Sequence, residues 1–132
     1  MRDIARRFTA AYYDSQTDAP TELRLLTTPL YRFDAEVSGV IDGALFAFAV
    51  ANDPELFLLV KAVRPATADA PPYWTYSLAR MCSLRQTVRL DDKQVWSIDN
   101  FYRLPREDRR TGPYFESQIG KFTPVGGSPI EK

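Results

Sequence analysis

Asp42-Gly-Ala-Leu-Phe-Ala-Phe-Ala-Val50 and Leu56-Phe-Leu-Leu-Val-Lys-Ala-Val63 are two apolar runs joined by Ala51-Asn-Asp-Pro-Glu55. The joint holds Asn52, Asp53 and Pro54; Asx side chains bond nearby backbone and proline fixes φ, so it predicts a turn and the pair a β-hairpin. Both arms are apolar at nearly every position, which leaves neither with one face fully in water and places the hairpin at the buried centre of a sheet. In the first arm Ala44, Phe46, Phe48 and Val50 share a bulky face, and Leu45, Ala47 and Ala49 share a mostly small one. A helix can pack closely on the small face. In the second arm Phe57, Leu59 and Val63 oppose Leu56, Leu58, Val60 and Ala62, and Lys61 is expected near an edge or a polar pocket.

Working outward, Ile4, Phe8, Ala11 and Tyr12 fall at i, i+4, i+7 and i+8 within Asp3 to Ser15. That is one stripe of a 3.6-residue helix, and this helix is the candidate cover for the small sheet face. Glu22 to Leu26 and Leu30 to Phe33 read as two short strands, or one strand bent at Pro29, near an edge because proline cannot donate to a ladder. Gly43 marks a bulge or a close backbone approach. Beyond the hairpin, Tyr73 to Met81 alternates as a strand, and Leu84 to Leu90 and Val95 to Ile98 form a second hairpin around Asp91, Asp92 and Lys93. Residues 105–132 carry Pro105, Pro113, Pro124 and Pro129 without periodicity and predict a mostly irregular tail anchored by Tyr114, Phe115, Ile119 and Phe122. The expected fold is α+β: an N-terminal helix on a curved, mainly antiparallel sheet, cone-like or barrel-like, spanning residues 1–104 as one domain.

The 132 residues suffice for one ordinary core. Lys plus Arg number 17 and Asp plus Glu 17, so no overall field draws a polyanion, and nucleic-acid binding is not expected. No run has the length of a membrane span and no signal peptide is evident in this chain, so it reads as soluble, with the compartment open. The single Cys82 forms no intramolecular disulfide. Histidine is absent, which removes the commonest general base, the usual partner of Ser and Cys nucleophiles, and the commonest neutral metal ligand. No metal spacing, phosphate loop or nucleophile elbow is present, and no cofactor is expected.

Leu23-Arg-Leu-Leu with Pro29-Leu-Tyr-Arg, Asp42-Gly-Ala-Leu-Phe-Ala-Phe and Asn52-Asp-Pro-Glu, followed by a Trp-bearing strand, resemble a group of uncharacterised bacterial proteins over roughly residues 20 to 98. That resemblance implies no activity and transfers no functional residue.

The chemistry-bearing candidates are few. Cys82 follows Arg80, whose guanidinium favours a thiolate, but no histidine stands by as base. Asp34, Glu36 and Asp42 surround one loop, and Asp53 and Glu55 another, where turn chemistry already explains them. Arg80, Arg85 and Arg89, with Arg103, Arg106, Arg109 and Arg110 in the tail, suit an anion-recognising surface alongside Tyr73, Tyr76 and Trp96, or the ordinary outer face of a sheet. The leading expectation is a non-catalytic module that binds a small ligand or a protein. Phe46, Phe48, Tyr73, Trp74 and Tyr76 are its expected lining, with Arg80 orienting an anionic group; the ligand is then small and apolar or anionic. The same aromatics equally suit a packed core. The alternative is an enzyme using carboxylate, Tyr or Arg chemistry, with Asp42 or Glu36 as base. Self-association as a homodimer, through a strand edge or an apolar sheet face, is compatible with either.

Overall fold

The computed structural model describes residues 1–34, 39–67, 69–105 and 117–122. In chain order these form α1 (Arg2–Ala5), β1 (Phe8–Tyr13), β2 (Pro20–Asp34), β3 (Val40–Val50), β4 (Asp53–Val63), β5 (Tyr73–Arg80), β6 (Arg85–Leu90), β7 (Lys93–Ile98), a 3-10 turn at Phe101–Arg103, and β8 (Ser117–Phe122). The strands make one sheet in the order β7-β6-β1-β2-β3-β4-β5-β8, antiparallel at every pairing, curled into a nearly closed barrel. Among the described residues no helix is long and apolar enough to cross a membrane.

The central hairpin is β3–β4, with Val50 opposite Asp53. Its loop is Ala51-Asn52, one residue earlier than the Asx-Pro cluster suggests; Ala51 takes a positive φ of 50°, and Asp53 and Pro54 already belong to β4. The ladder absorbs the proline by a register shift between Phe48 and Ala49. The second hairpin, β6–β7, turns on Asp91 and Asp92, both at positive φ (49° and 63°), the backbone a two-residue primed turn requires.

The α+β expectation needs correction: the fold is mainly β. The helix expected over Asp3 to Ser15 is a single turn, Arg2–Ala5, and Phe8–Tyr13 is a strand between β2 and β6. The apolar pattern fits both readings, because Phe8 and Tyr12 lie on the helical stripe and also on the alternating face Phe8, Ala10, Tyr12. Antiparallel pairing on both sides, to β2 and to β6, decides for the strand.

The helix does not cover the small sheet face either. Ile4 and Ala5 are buried in the interior cluster with Phe8, Phe46 and Phe48, so α1 plugs the barrel from within. The interior is otherwise filled by the inward faces of β4 (Leu56, Leu58, Val60, Ala62) and β5 (Trp74, Tyr76, Leu78), with Leu23, Val88, Trp96 and Ile98. The small face of β3 and its continuation across β4 and β5 is the outside of the barrel.

β2 holds the two halves of the sheet together. Its first residues pair with β1, and Arg24 to Leu26 and Tyr31 to Asp34 pair with β3 across an irregularity at Thr27–Leu30. One bent strand therefore replaces two short ones, bent where Pro29 removes a backbone donor. It lies inside the sheet order, not at an edge. Gly43 is the close approach its sequence context announces: the Phe33 ring occupies the place a β-carbon would take. Residues 117–122 of the expected irregular tail form β8 against β5; Tyr114 and Phe115 lie outside the described residues.

Candidate functional site

Strand alternation sends Phe46 and Phe48 inward from β3, and Trp74, Tyr76 and Arg80 inward from β5. All five are buried. Tyr76 meets Phe8 edge-on with ring centroids 5.1 Å apart, and burial pushes its phenol above the ordinary value. Tyr73 is the exception among the six expected lining residues; it lies half-buried opposite Val63 on the outer face. The structure thus brings five of the six together inside the barrel and separates the sixth.

Arg80 is 1% exposed, which is unusual for a guanidinium. Its Nη1 donates to the Asp99 carbonyl at 2.6 Å, and its Cζ lies 5.4 Å from the Phe101 ring centroid. It ties β5 to the segment after β7. Gln86, also fully buried, donates from Nε2 to the Glu55 carbonyl at 2.7 Å and to Cys82 Sγ at 3.1 Å. Burial, and the Glu55 carboxylate accepting from the thiol, push Cys82 up to about 11. A thiol so placed stays protonated at neutral pH, so Arg80 does not activate it.

The remaining charged candidates are occupied locally. Asp42 pairs with Arg32 at 2.9 Å, and its other carboxylate oxygen accepts from the Gly43 amide. Glu36 lies outside the described residues. Arg85 is bound by both carboxylate oxygens of Asp18 and lies over the Tyr13 ring, 3.6 Å from its centroid. Arg80 points into the barrel while Arg85 lies outside it, so the strand arginines do not converge on one surface. Among the described residues no three Cys, Asp or Glu side chains are grouped to hold a metal ion.

The outer face of β2 to β5 is where sequence reasoning stopped short. Register sets its residues in rows across the strands. Leu26, Ala47, Phe57 and Ala79 form one row; Tyr31, Leu45, Leu59 and Ser77 form the next; Phe33, Gly43, Lys61 and Thr75 form a third. β8 continues these rows with Ser117, Ile119 and Lys121 by register. The first two rows contain no charged residue. Leu45, Phe57, Leu59, Ser77 and Ala79 line a groove of about 320 Å³, shaped by the small side chains between the large ones. Tyr31, 63% exposed, stacks on Phe33 at its rim. The signal was present in the sequence: both faces of the second apolar run are apolar, which a barrel wall with one solvated face does not require.

No family model, curated protein or solved structure matches this chain. Its functional reading rests on this geometry.

Proposed function

We propose that this chain is a non-catalytic protein-interaction module that docks its partner on the outer face of β3, β4 and β5. The observation that carries the reading is the uncharged double row centred on Leu45, Phe57 and Leu59, lying outside a barrel whose interior holds the buried apolar cluster. The central strands of a small barrel ordinarily alternate apolar-in and polar-out, because the outer wall gains nothing by displacing water unless a second surface covers it. Leu45, Phe57 and Leu59 are half-buried, and apolar side chains left partly open on an outer sheet face suit an interaction site. The small residues Ser77 and Ala79 leave room for a partner's side chain beside Phe57 and Leu59, the arrangement of an anchor pocket.

A photoreactive phenylalanine analogue at position 59 tests the reading in cells of the native host. Position 89, an exposed arginine on β6, serves as control. A discrete protein adduct at 59 and none at 89 is the expected result. Absence of any adduct at 59, with the protein folded, refutes the docking reading.

A further inference from the structure

We infer that the partner of this face is a second copy of the chain, packed sheet on sheet with its β4 antiparallel to the first. The inference rests on the docking reading above and adds the identity of the occupant.

Its basis is the order of residues along β4. Glu55, Phe57, Leu59 and Lys61 alternate with the inward Leu56, Leu58 and Val60, so the strand presents an acidic end, two large apolar residues and a basic end. This pattern is its own complement on reversal. A two-fold axis lying between two such sheets, perpendicular to β4 and level with Leu58, sets Phe57 against the partner's Leu59 and Glu55 against the partner's Lys61. The same operation sets β3 over the partner's β3 and β5 over its β5, with Ser77 over the partner's Ala79. The alternative axis, parallel to β4, stacks Lys61 on Lys61 and Glu55 on Glu55, and like charges exclude it.

The end groups are available for this. Lys61 makes no ion pair among the described residues. The Glu55 carboxylate accepts from the Cys82 thiol, a weak donor that leaves most of its acceptor capacity unused. Glu55 and Lys61 are roughly 20 Å apart along the strand at about 3.3 Å per residue. Packed sheets cross at about 30°, which displaces facing ends by roughly 5 Å, within the combined reach of a glutamate and a lysine.

Three strands at about 4.8 Å spacing and the roughly 20 Å from Glu55 to Lys61 give a footprint of roughly 300 Å² per copy, at the low end where association is weak and reversible. The dimer is therefore expected to dissociate on dilution.

Sedimentation velocity over a wide concentration range is the test, with far-UV circular dichroism confirming each variant is folded. The wild type is expected to pass from monomer to dimer. Leu59→Glu abolishes the dimer. Lys61→Glu and Glu55→Lys each weaken it by about tenfold, since each leaves like charges facing across both ends, a change of about 1.4 kcal/mol. Combining them restores affinity to near wild type, because the reversed pattern is again self-complementary. Should Glu55→Lys fail to fold, the concentration dependence of the wild type and of Leu59→Glu still decides the inference. A wild type that stays monomeric at every concentration, or a double reversal no tighter than the single variants, overturns the inference. The docking reading fails separately: a monomeric wild type that still forms a protein adduct at position 59 keeps docking and removes self-association, while loss of both removes both.

Discussion

A β-carbon added at Gly120 tests whether β8 closes over the core as its register indicates. Gly120 faces Tyr76 across the β5–β8 ladder, and its backbone is not in the left-handed region, so alanine meets no backbone strain there. The obstacle is steric. The new carbon falls well inside van der Waals contact with Cζ, Cε1 and Oη of Tyr76, which is only 5% exposed and braced by Phe8. Relief requires a ring movement of roughly 1 Å in a close-packed interior, and overpacking of this kind costs about 1–3 kcal/mol. Alanine recovers about 0.5–1 kcal/mol over glycine in a strand through lower chain entropy, so Gly120→Ala should destabilise by a net ~1–2 kcal/mol. Gly43→Ala supplies the control. Its β-carbon collides just as closely with the Phe33 ring, but that ring is half-buried on the outer face and can swing toward water. Its net effect should lie within about 1 kcal/mol of zero. Urea unfolding, read through the buried Trp74 and Trp96, measures both, and Tyr76→Leu should abolish the Gly120→Ala cost in a double-mutant cycle. Equal costs at the two glycines, or no rescue, would refute the placement of β8 over Tyr76.

Two further outcomes follow from the described contacts. Ala10 is buried and Ala11 half-exposed, so Ala10→Asp should destabilise by several kcal/mol, about the cost of burying an unpaired carboxylate, while Ala11→Asp should cost under about 1 kcal/mol; a helix over residues 3–15 demands the reverse order, and urea midpoints decide it. Cys82 has a folded-state pKa near 11 against an ordinary value of 9.0, so the native state holds the thiol proton longer than the unfolded chain, and this contribution to stability, present below about pH 9, is lost as pH rises toward 11. Alkylation of native Cys82 by iodoacetamide should accordingly be slow at pH 7, and Glu55→Gln should accelerate it above pH 8; rapid alkylation of the folded wild type at neutral pH would contradict the assignment.

The outer apolar rows also bear on how the barrel avoids aggregation. Among the described residues β7 and β8 stand at the two ends of the sheet order. β7 begins with Lys93 beside Asp91 and Asp92, charges that discourage edge pairing. Face-to-face association through β4 leaves both edges unused, which distinguishes it from edge-to-edge pairing by the same sedimentation experiment with Leu59→Glu.

Local pattern alone determined the central hairpin, the second hairpin and the strand Tyr73–Arg80, because alternation of side chains is a property of each strand by itself. It also assigned the faces of β3 correctly, Phe46 and Phe48 against Ala47 and Ala49. It could not tell helix from strand at Phe8–Tyr13, where Ala10 and Ala11 are identical residues and only their unlike surroundings, inside and outside the barrel, distinguish them. Nor could it reveal that Arg80 is buried, since an arginine in a strand reads as solvent-facing until Asp99 and Phe101 are brought beside it from another part of the chain. The partition of the expected lining aromatics, four within the barrel and Tyr73 outside, depended on where the sheet curls. The joining of Leu45, Phe57, Leu59, Ser77 and Ala79 into one face depended on the register of three strands, and register is a relation between segments that no single segment encodes.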